Sequence, residues 1–303
     1  MALVSSRERK SFALSIYQFV ANLLDEVLDA VVTLLTRKKR LERVLLGVYK
    51  FRAAQMEMIE KCTVKHRGLR LRKNSRDLDR SEEILKKELV QSVGPQRVIL
   101  RTRLHDALNS IAAYETLCEQ VEKLRKEEYQ RGNAVHEGKL LELWRLLKPD
   151  DKISACTGKH WRTLGFQSDD PSRDFRGMGI LSLDQLIYMA RNEPRCMRSI
   201  VVLSNHPRIG FPLVITGINI TSLCHHLLTE GLLKNHFHNT LEKEVELEDF
   251  HKTFCKIFSL FAEYWKKENP PSIMSFNNVR MNFERILIPQ LRSESSQLST
   301  VLV

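Results

Sequence analysis

The sequence predicts an all-α protein, and three observations predict it. Gly and Pro are scarce, 12 and 9 of 303 residues, while Leu, Glu, Lys and Arg are plentiful, a balance that favours helices. Apolar residues recur every three or four positions through most of the chain. No pair of alternating segments suggests strands. The length suits one large domain or two of ordinary size, and 43% hydrophobic residues suffice for a sizeable core.

The first expected helix is Ser11–Thr36, which contains no Gly or Pro. Ile16, Phe19, Val20, Leu23, Val27, Val31 and Leu34 repeat at helical spacing, while Gln18, Asn22, Asp25, Glu26 and Asp29 keep the other face polar. The acids make it a poor membrane span and a poor mitochondrial presequence. It reads as an amphipathic helix packed on the protein, with an interfacial helix between basic flanks, RERK and RKKR, as the competing reading. Thr63–Arg80 is basic and weakly periodic, so it reads as a loop or frayed helix. Ser81–Val90 opens with Ser followed by acids, a helix start.

A long amphipathic helix is expected over residues 98–131, and Arg131-Gly132-Asn133 is the clearest break in the chain. A short helix over residues 136–149 ends before Pro149. Further helices are expected over Leu183–Arg191 and beyond Pro194. Ile209–Thr229 has no charged Lys, Arg, Asp or Glu, but its Gly, Pro, Asn and His make it a buried helix rather than a membrane span. A helix over about Leu247–Lys267 begins with acids and ends with lysines, as the helix dipole favours. The last covers roughly Ile273–Arg292.

The net charge of +11 is uneven. Residues 1–80 hold 18 Lys/Arg against 9 Asp/Glu; residues 81–303 hold 30 against 28. The basic N-terminal quarter is a solvated face or a surface for anionic partners. Nucleic acid is not expected, because Arg67–Arg80 interleaves no aromatic residue with its basic ones. The six cysteines, Cys62, Cys118, Cys156, Cys196, Cys224 and Cys255, form no CxxC pair and fit a reducing compartment. Cys224, His225, His226, His236 and His238 could supply zinc ligands. However, adjacent helical positions point about a hundred degrees apart, so a buried Cys224 with histidines at a helix edge is the preferred reading and no metal is expected. There is no phosphate loop, GxGxxG, GxSxG, HExxH or EF-hand loop, so no bound cofactor is expected.

One segment resists a composition-level account: WRTLGFQSDDPSRDFRGMGIL, Trp161–Leu181. Trp161 and Phe166 are large anchors. Gly165 and Gly177 permit tight turns. Asp170-Pro171 reads as an N-cap followed by the first helical position. Asp174 and Arg176 follow within a turn. From the residues alone this is a capping and salt-bridge knot between helices.

The same residues resemble the signature of the ELMO domain, in particular that of the ELMO domain-containing proteins: Trp161, Leu164, Gly165, Phe166, Gln167, Asp170, Pro171, Asp174, Phe175, Arg176, Gly177 and Gly179. HEGKLLELWRLLKP, SNHP, GINITSL, FHKTFCKIF and PSIMSFNNVRMNFERILI are similar to further family blocks in the same order. Ser182 and Asp184 depart from the pattern, and the N-terminal third diverges more. Four segments are expected: an amphipathic helix with basic flanks (1–40), a helical N-terminal region (41–132), after the break the multi-helix ELMO-type domain that the resemblance implies (133–290), and a tail (291–303).

It also implies a GTPase-activating protein for Arf and Arf-like small GTPases, not an enzyme with its own substrate. GTP and magnesium belong to the partner. Arg176 is then the arginine finger, with Arg173 as a nearby alternative in a variable position. Gln167 and Asp174 would support the finger, and Gly177 and Gly179 would let the loop approach the nucleotide. Trp161, Gly165, Phe166, Asp170, Pro171 and Phe175 would be structural anchors. The competing expectation is a non-catalytic interaction module in which Arg176 pairs with Asp170 or Asp174. The expected location is cytoplasmic and peripheral on an intracellular membrane, such as the endoplasmic reticulum, mitochondria or lipid droplets.

Overall fold

The structure is a computed structural model that describes residues 6–36, 39–64 and 95–298. The expected loop up to Arg80 lies almost wholly outside these residues, and the expected helix over Ser81–Val90 wholly so. No strand occurs among the described residues. The helices are α1 (Ser6–Thr36), α2 (Arg40–Leu46), α3 (Arg52–Val64), α4 (Pro95–Lys126), α5 (Ala134–Leu147), α6 (Gly179–Asn192), α7 (Pro194–Ser204), α8 (Leu213–Thr229), α9 (Lys234–Thr240), α10 (Leu247–Glu268) and α11 (Phe276–Arg292). Short 3-10 helices cover Lys159–Leu164, Pro171–Arg176 and Ile273–Ser275.

Two apolar cores share one helix. The N-terminal half of α4 places Leu100, Leu104, Leu108 and Ile111 against Leu41, Leu45, Met56 and Ile59 of α2 and α3. Its C-terminal half turns Tyr114, Leu117 and Val121 into the main core. The break at Arg131–Asn133 therefore falls between α4 and α5, which both line the main core. Asn133 starts α5 by accepting hydrogen bonds from the Val135 and His136 N–H groups.

In the main core α6 and α8 are central. Gly217 of α8 lies so close to α6 that a Cβ there would come 2.6 Å from Leu186. α10 contributes Phe250, Phe254, Ile257, Phe258, Phe261 and Trp265, the three-and-four spacing that makes one face apolar. It opens with a reciprocal cap between Glu246 and Asp249. Its Trp265 indole N–H donates to the Ile209 carbonyl at 2.7 Å. That bond holds Ile209–Phe211 in a non-helical turn, where the sequence predicts a helix from Ile209; α8 begins only after Pro212.

The N-terminal elements and the tail both fasten to α9. Lys234 pairs with Glu60 of α3 at 2.9 Å. Asn239 accepts from the Ala53 N–H at 3.0 Å and donates to the Glu294 and Ser296 carbonyls.

α1 corrects an expectation. Asp25, Asp29 and Thr33 form a stripe of spacing four, and α2 engages it: Arg40 pairs with Asp25 at 2.6 Å, and Arg43 bonds Asp29 and Thr33. The helix is thus held by its polar stripe, and its apolar face is not packed on the protein. Phe19 is 68% and Leu34 82% exposed, with Leu23, Val27 and Val31 about half exposed. No described helix is long and apolar enough to cross a membrane.

Candidate functional site

The Trp161–Leu181 segment forms a turn built on a ladder of aromatic rings. Trp144 of α5 packs edge-on against Trp161, their centroids 5.2 Å apart; Trp161 meets Phe166 at 5.5 Å; Phe166 meets Phe175 at 5.7 Å; Phe175 meets Tyr129 at 5.6 Å. Trp161, Phe166 and Phe175 are buried. The first three contacts are edge-to-face and the last is tilted; such pairs favour defined ring orientations, so the ladder ties the position of the turn to α5. The Trp161 indole donates to the Ala155 carbonyl.

Two glycines seat the segment against its neighbours. Gly165 has φ +87°, and a Cβ there would lie 2.4 Å from the Leu213 nitrogen at the start of α8. Gly179 has φ +54°, and a Cβ would lie 2.4 and 2.5 Å from the carbonyl oxygens of Arg125 and Glu127. Both conformations belong to the left-handed region that glycine occupies without penalty. The Ile180 N–H then donates to the Glu127 carbonyl at 2.9 Å, joining the N-terminus of α6 to the chain just beyond α4. This corrects the role expected for Gly179: it is buried against α4, not open to a partner. Gly177 is exposed, and nothing lies within 4 Å of a Cβ placed there.

Asp170 begins the 3-10 helix Pro171–Arg176 by accepting from the Ser172 N–H and hydroxyl. Arg131, immediately before the Gly132 break, reaches back and grips the same carboxylate with two N–H groups. Arg173 adds a longer contact at 3.5 Å. Burial opposes ionisation of Asp170, but the bonds from Arg131 and Ser172 outweigh it and hold the carboxyl below the usual carboxylate range. Asp174 differs. Burial dominates and raises it, only partly offset by the hydrogen bond it accepts from the Gln167 N–H at 3.0 Å. Asp174 thus pins the backbone of the Gln167 loop to the turn, while the Gln167 side chain is exposed.

A 3-10 helix has three residues per turn, so Arg173 and Arg176 emerge on one face. Arg173 leans onto Asp170. Arg176 is exposed and makes no hydrogen bond or ion pair among the described residues. Neither Asp170 nor Asp174 holds it. The pairing expected for a purely structural Arg176 is therefore not made, and its five N–H donors face solvent from a turn fixed on every other side.

The Cys/His-rich stretch does not converge. Cys224 is fully buried, and burial pushes its thiol pKa up. His225 bonds Glu122 of α4 at 2.9 Å. His236 accepts from the Leu298 N–H, and His226 is exposed. No cluster of three or more potential metal ligands occurs among the described residues.

Comparison with known proteins accords with this geometry. A profile of the ELMO/CED-12 family matches residues 119–280, more than half of the chain. The chain belongs to the ELMO/CED-12 family. It is 38% identical to ELMO domain-containing protein 1 of Mus musculus over 229 residues, 70% of this chain and 69% of the relative. It is 42% identical to ELMO domain-containing protein 2 of Mus musculus over 184 residues, 60% and 63% of the two chains. ELMO domain-containing protein B of Dictyostelium discoideum is 38% identical over 186 residues. The ELMO/CED-12 match starts inside α4, at Glu119, and so takes in Glu122, Arg125 and Arg131, which sequence reasoning passed over. Sequence reasoning singles out neither Glu122 nor Arg125, and meets Arg131 only as part of the break before Asn133.

Proposed function

We propose that this chain is a GTPase-activating protein for Arf or Arf-like small GTPases, with Arg176 as an arginine finger supplied in trans. The observation that carries the proposal is an exposed, unpartnered Arg176 on an otherwise fully tethered turn. A small GTPase already binds GTP and magnesium, so its activator needs neither a phosphate loop nor a cofactor. What it contributes is charge stabilisation as the bond to the γ-phosphate breaks. A guanidinium suits this, being planar, permanently charged and rich in donors. Because the turn is pre-formed, little ordering remains to oppose docking. Such a finger accelerates hydrolysis by about 10³–10⁵, equivalent to ~4–7 kcal/mol of barrier.

The test is single-turnover GTP hydrolysis by a panel of Arf-family GTPases with and without this chain. Wild type is expected to accelerate at least one of them, and Arg176→Lys to lose the acceleration while melting at the wild-type temperature. Rates equal to the GTPase alone across the panel would sink the proposal and leave a non-catalytic interaction module.

The bare apolar face of α1 supports a second element of the reading, peripheral contact with an anionic membrane through residues 1–40. Exposed Phe19, Leu23, Val27 and Leu34 would enter the interface, with the basic flanks on headgroups.

A further inference from the structure

We propose that Arg125 is a positioning residue for the Arg176 turn, set in place by Glu122 and His225. This rests on the activator reading above. At the end of α4 the Arg125 guanidinium makes two parallel bonds to the Glu122 carboxylate, Nε to Oε2 and Nη2 to Oε1, each 2.7 Å. Its remaining nitrogen, Nη1, donates to the Gly177 carbonyl at 3.3 Å. Gly177 directly follows Arg176. Glu122 is itself fixed from a second helix by His225 Nε2 of α8 at 2.9 Å, and Lys126 approaches its other oxygen at 3.2 Å.

The geometry assigns a division of labour. Phe175 and Asp170 tether the turn before Arg176, and the Ile180 N–H and Gly179 seat it after the turn. Between these anchors, Gly177 has open space around it. Arg125 is the side chain that holds its carbonyl. A bidentate fork fixes the guanidinium plane in a way that a lysine ammonium cannot reproduce. The Gly177 carbonyl belongs to the Gly177–Met178 peptide, so loss of that hold frees the backbone just after Arg176 and loosens the placement of the arginine. Misplacing a reacting group by about 1 Å can cost roughly 10²-fold in rate.

The experiment uses the full chain with Arg125→Gln, Arg125→Lys and Glu122→Gln. The first arm needs no GTPase. Hydrogen exchange of peptides spanning residues 168–180 is expected to quicken several-fold in Arg125→Gln, with the melting temperature and the exchange of α10 peptides unchanged. In the second arm, the maximal single-turnover rate is expected to fall about tenfold with Arg125→Gln and Arg125→Lys, at an unchanged half-saturating concentration. Glu122→Gln should fall between them and wild type. In an Arg176→Lys background, Arg125→Gln is expected to cost nothing further.

A raised half-saturating concentration with an intact maximal rate would overturn the proposal and make Arg125 a contact for the GTPase. Unchanged exchange together with an unchanged maximal rate would overturn it outright. If wild type accelerates no GTPase, the activator reading fails by itself, and the exchange arm still decides whether Arg125 restrains the turn.

Discussion

At the residue scale, the signature glycines serve different ends, and two substitutions separate them. Gly179→Ala must place a methyl about 2.4 Å from backbone carbonyls at φ +54°. The left-handed conformation alone costs an alanine roughly 1–2 kcal/mol, and the carbonyls cannot move without unwinding the end of α4. Gly177 sits in the right-handed region with open space around it. Urea unfolding is expected to show a loss of at least ~2 kcal/mol for Gly179→Ala and a change within ~0.5 kcal/mol for Gly177→Ala. Equal losses would contradict the assignment. The sequence shows both as glycines in a turn and cannot tell them apart, because what separates them is a helix end more than 50 residues upstream. The same blindness hid Arg125 and Arg131. Local grammar made the Asp170-Pro171 start legible, whereas a side chain reaching across 39 or 52 residues leaves no local periodicity to read.

At the element scale, helix type and order were legible wherever one face repeats at three-and-four spacing, as in α10. Helix ends were less so. α4 stops at Lys126 rather than 131, since the Glu127 carbonyl is needed by Ile180. α6 begins earlier than predicted, at Gly179, for the same contact. α1 was recognised as amphipathic, but amphipathicity does not say which face meets the protein. Ion pairs to Arg40 and Arg43 took the polar face. Wild type should co-sediment with liposomes rich in phosphatidylserine, and a form lacking residues 1–40 should not. Leu23→Glu with Val27→Glu should abolish sedimentation at an unchanged melting temperature, because both residues are already exposed. Equal binding by all forms would remove α1 as an anchor.

At the scale of the whole molecule, α9 is where the N-terminal helices, the main core and the tail meet, and it carries buried histidines. Burial pushes the pKa of His236 and of His238 down to about 4, helped by Lys256 for the first and by Arg52 and Lys234 for the second. In the unfolded chain each would titrate near about 6.5. Their folded pKa values are depressed, so the unfolded state binds protons first as pH falls. Stability from these groups is fully present above about pH 6.5 and is lost progressively towards about pH 4, by up to ~3 kcal/mol each. His236 also accepts the Leu298 N–H through Nδ1 at 3.2 Å, so protonating that nitrogen releases the tail from α9. Asparagine carries an acceptor oxygen in a similar place and does not titrate. Thermal melts of His236→Asn are therefore expected to show a shallower decline than wild type between pH 6.5 and 4, alongside some loss at neutral pH from reduced packing. An acid limb of wild-type slope in that variant would mean that the proton-linked instability resides elsewhere. The carboxylate contribution is separable by its window. Asp170, held below its ordinary range, is lost only at lower pH, and it would loosen the turn carrying Arg176 rather than the tail.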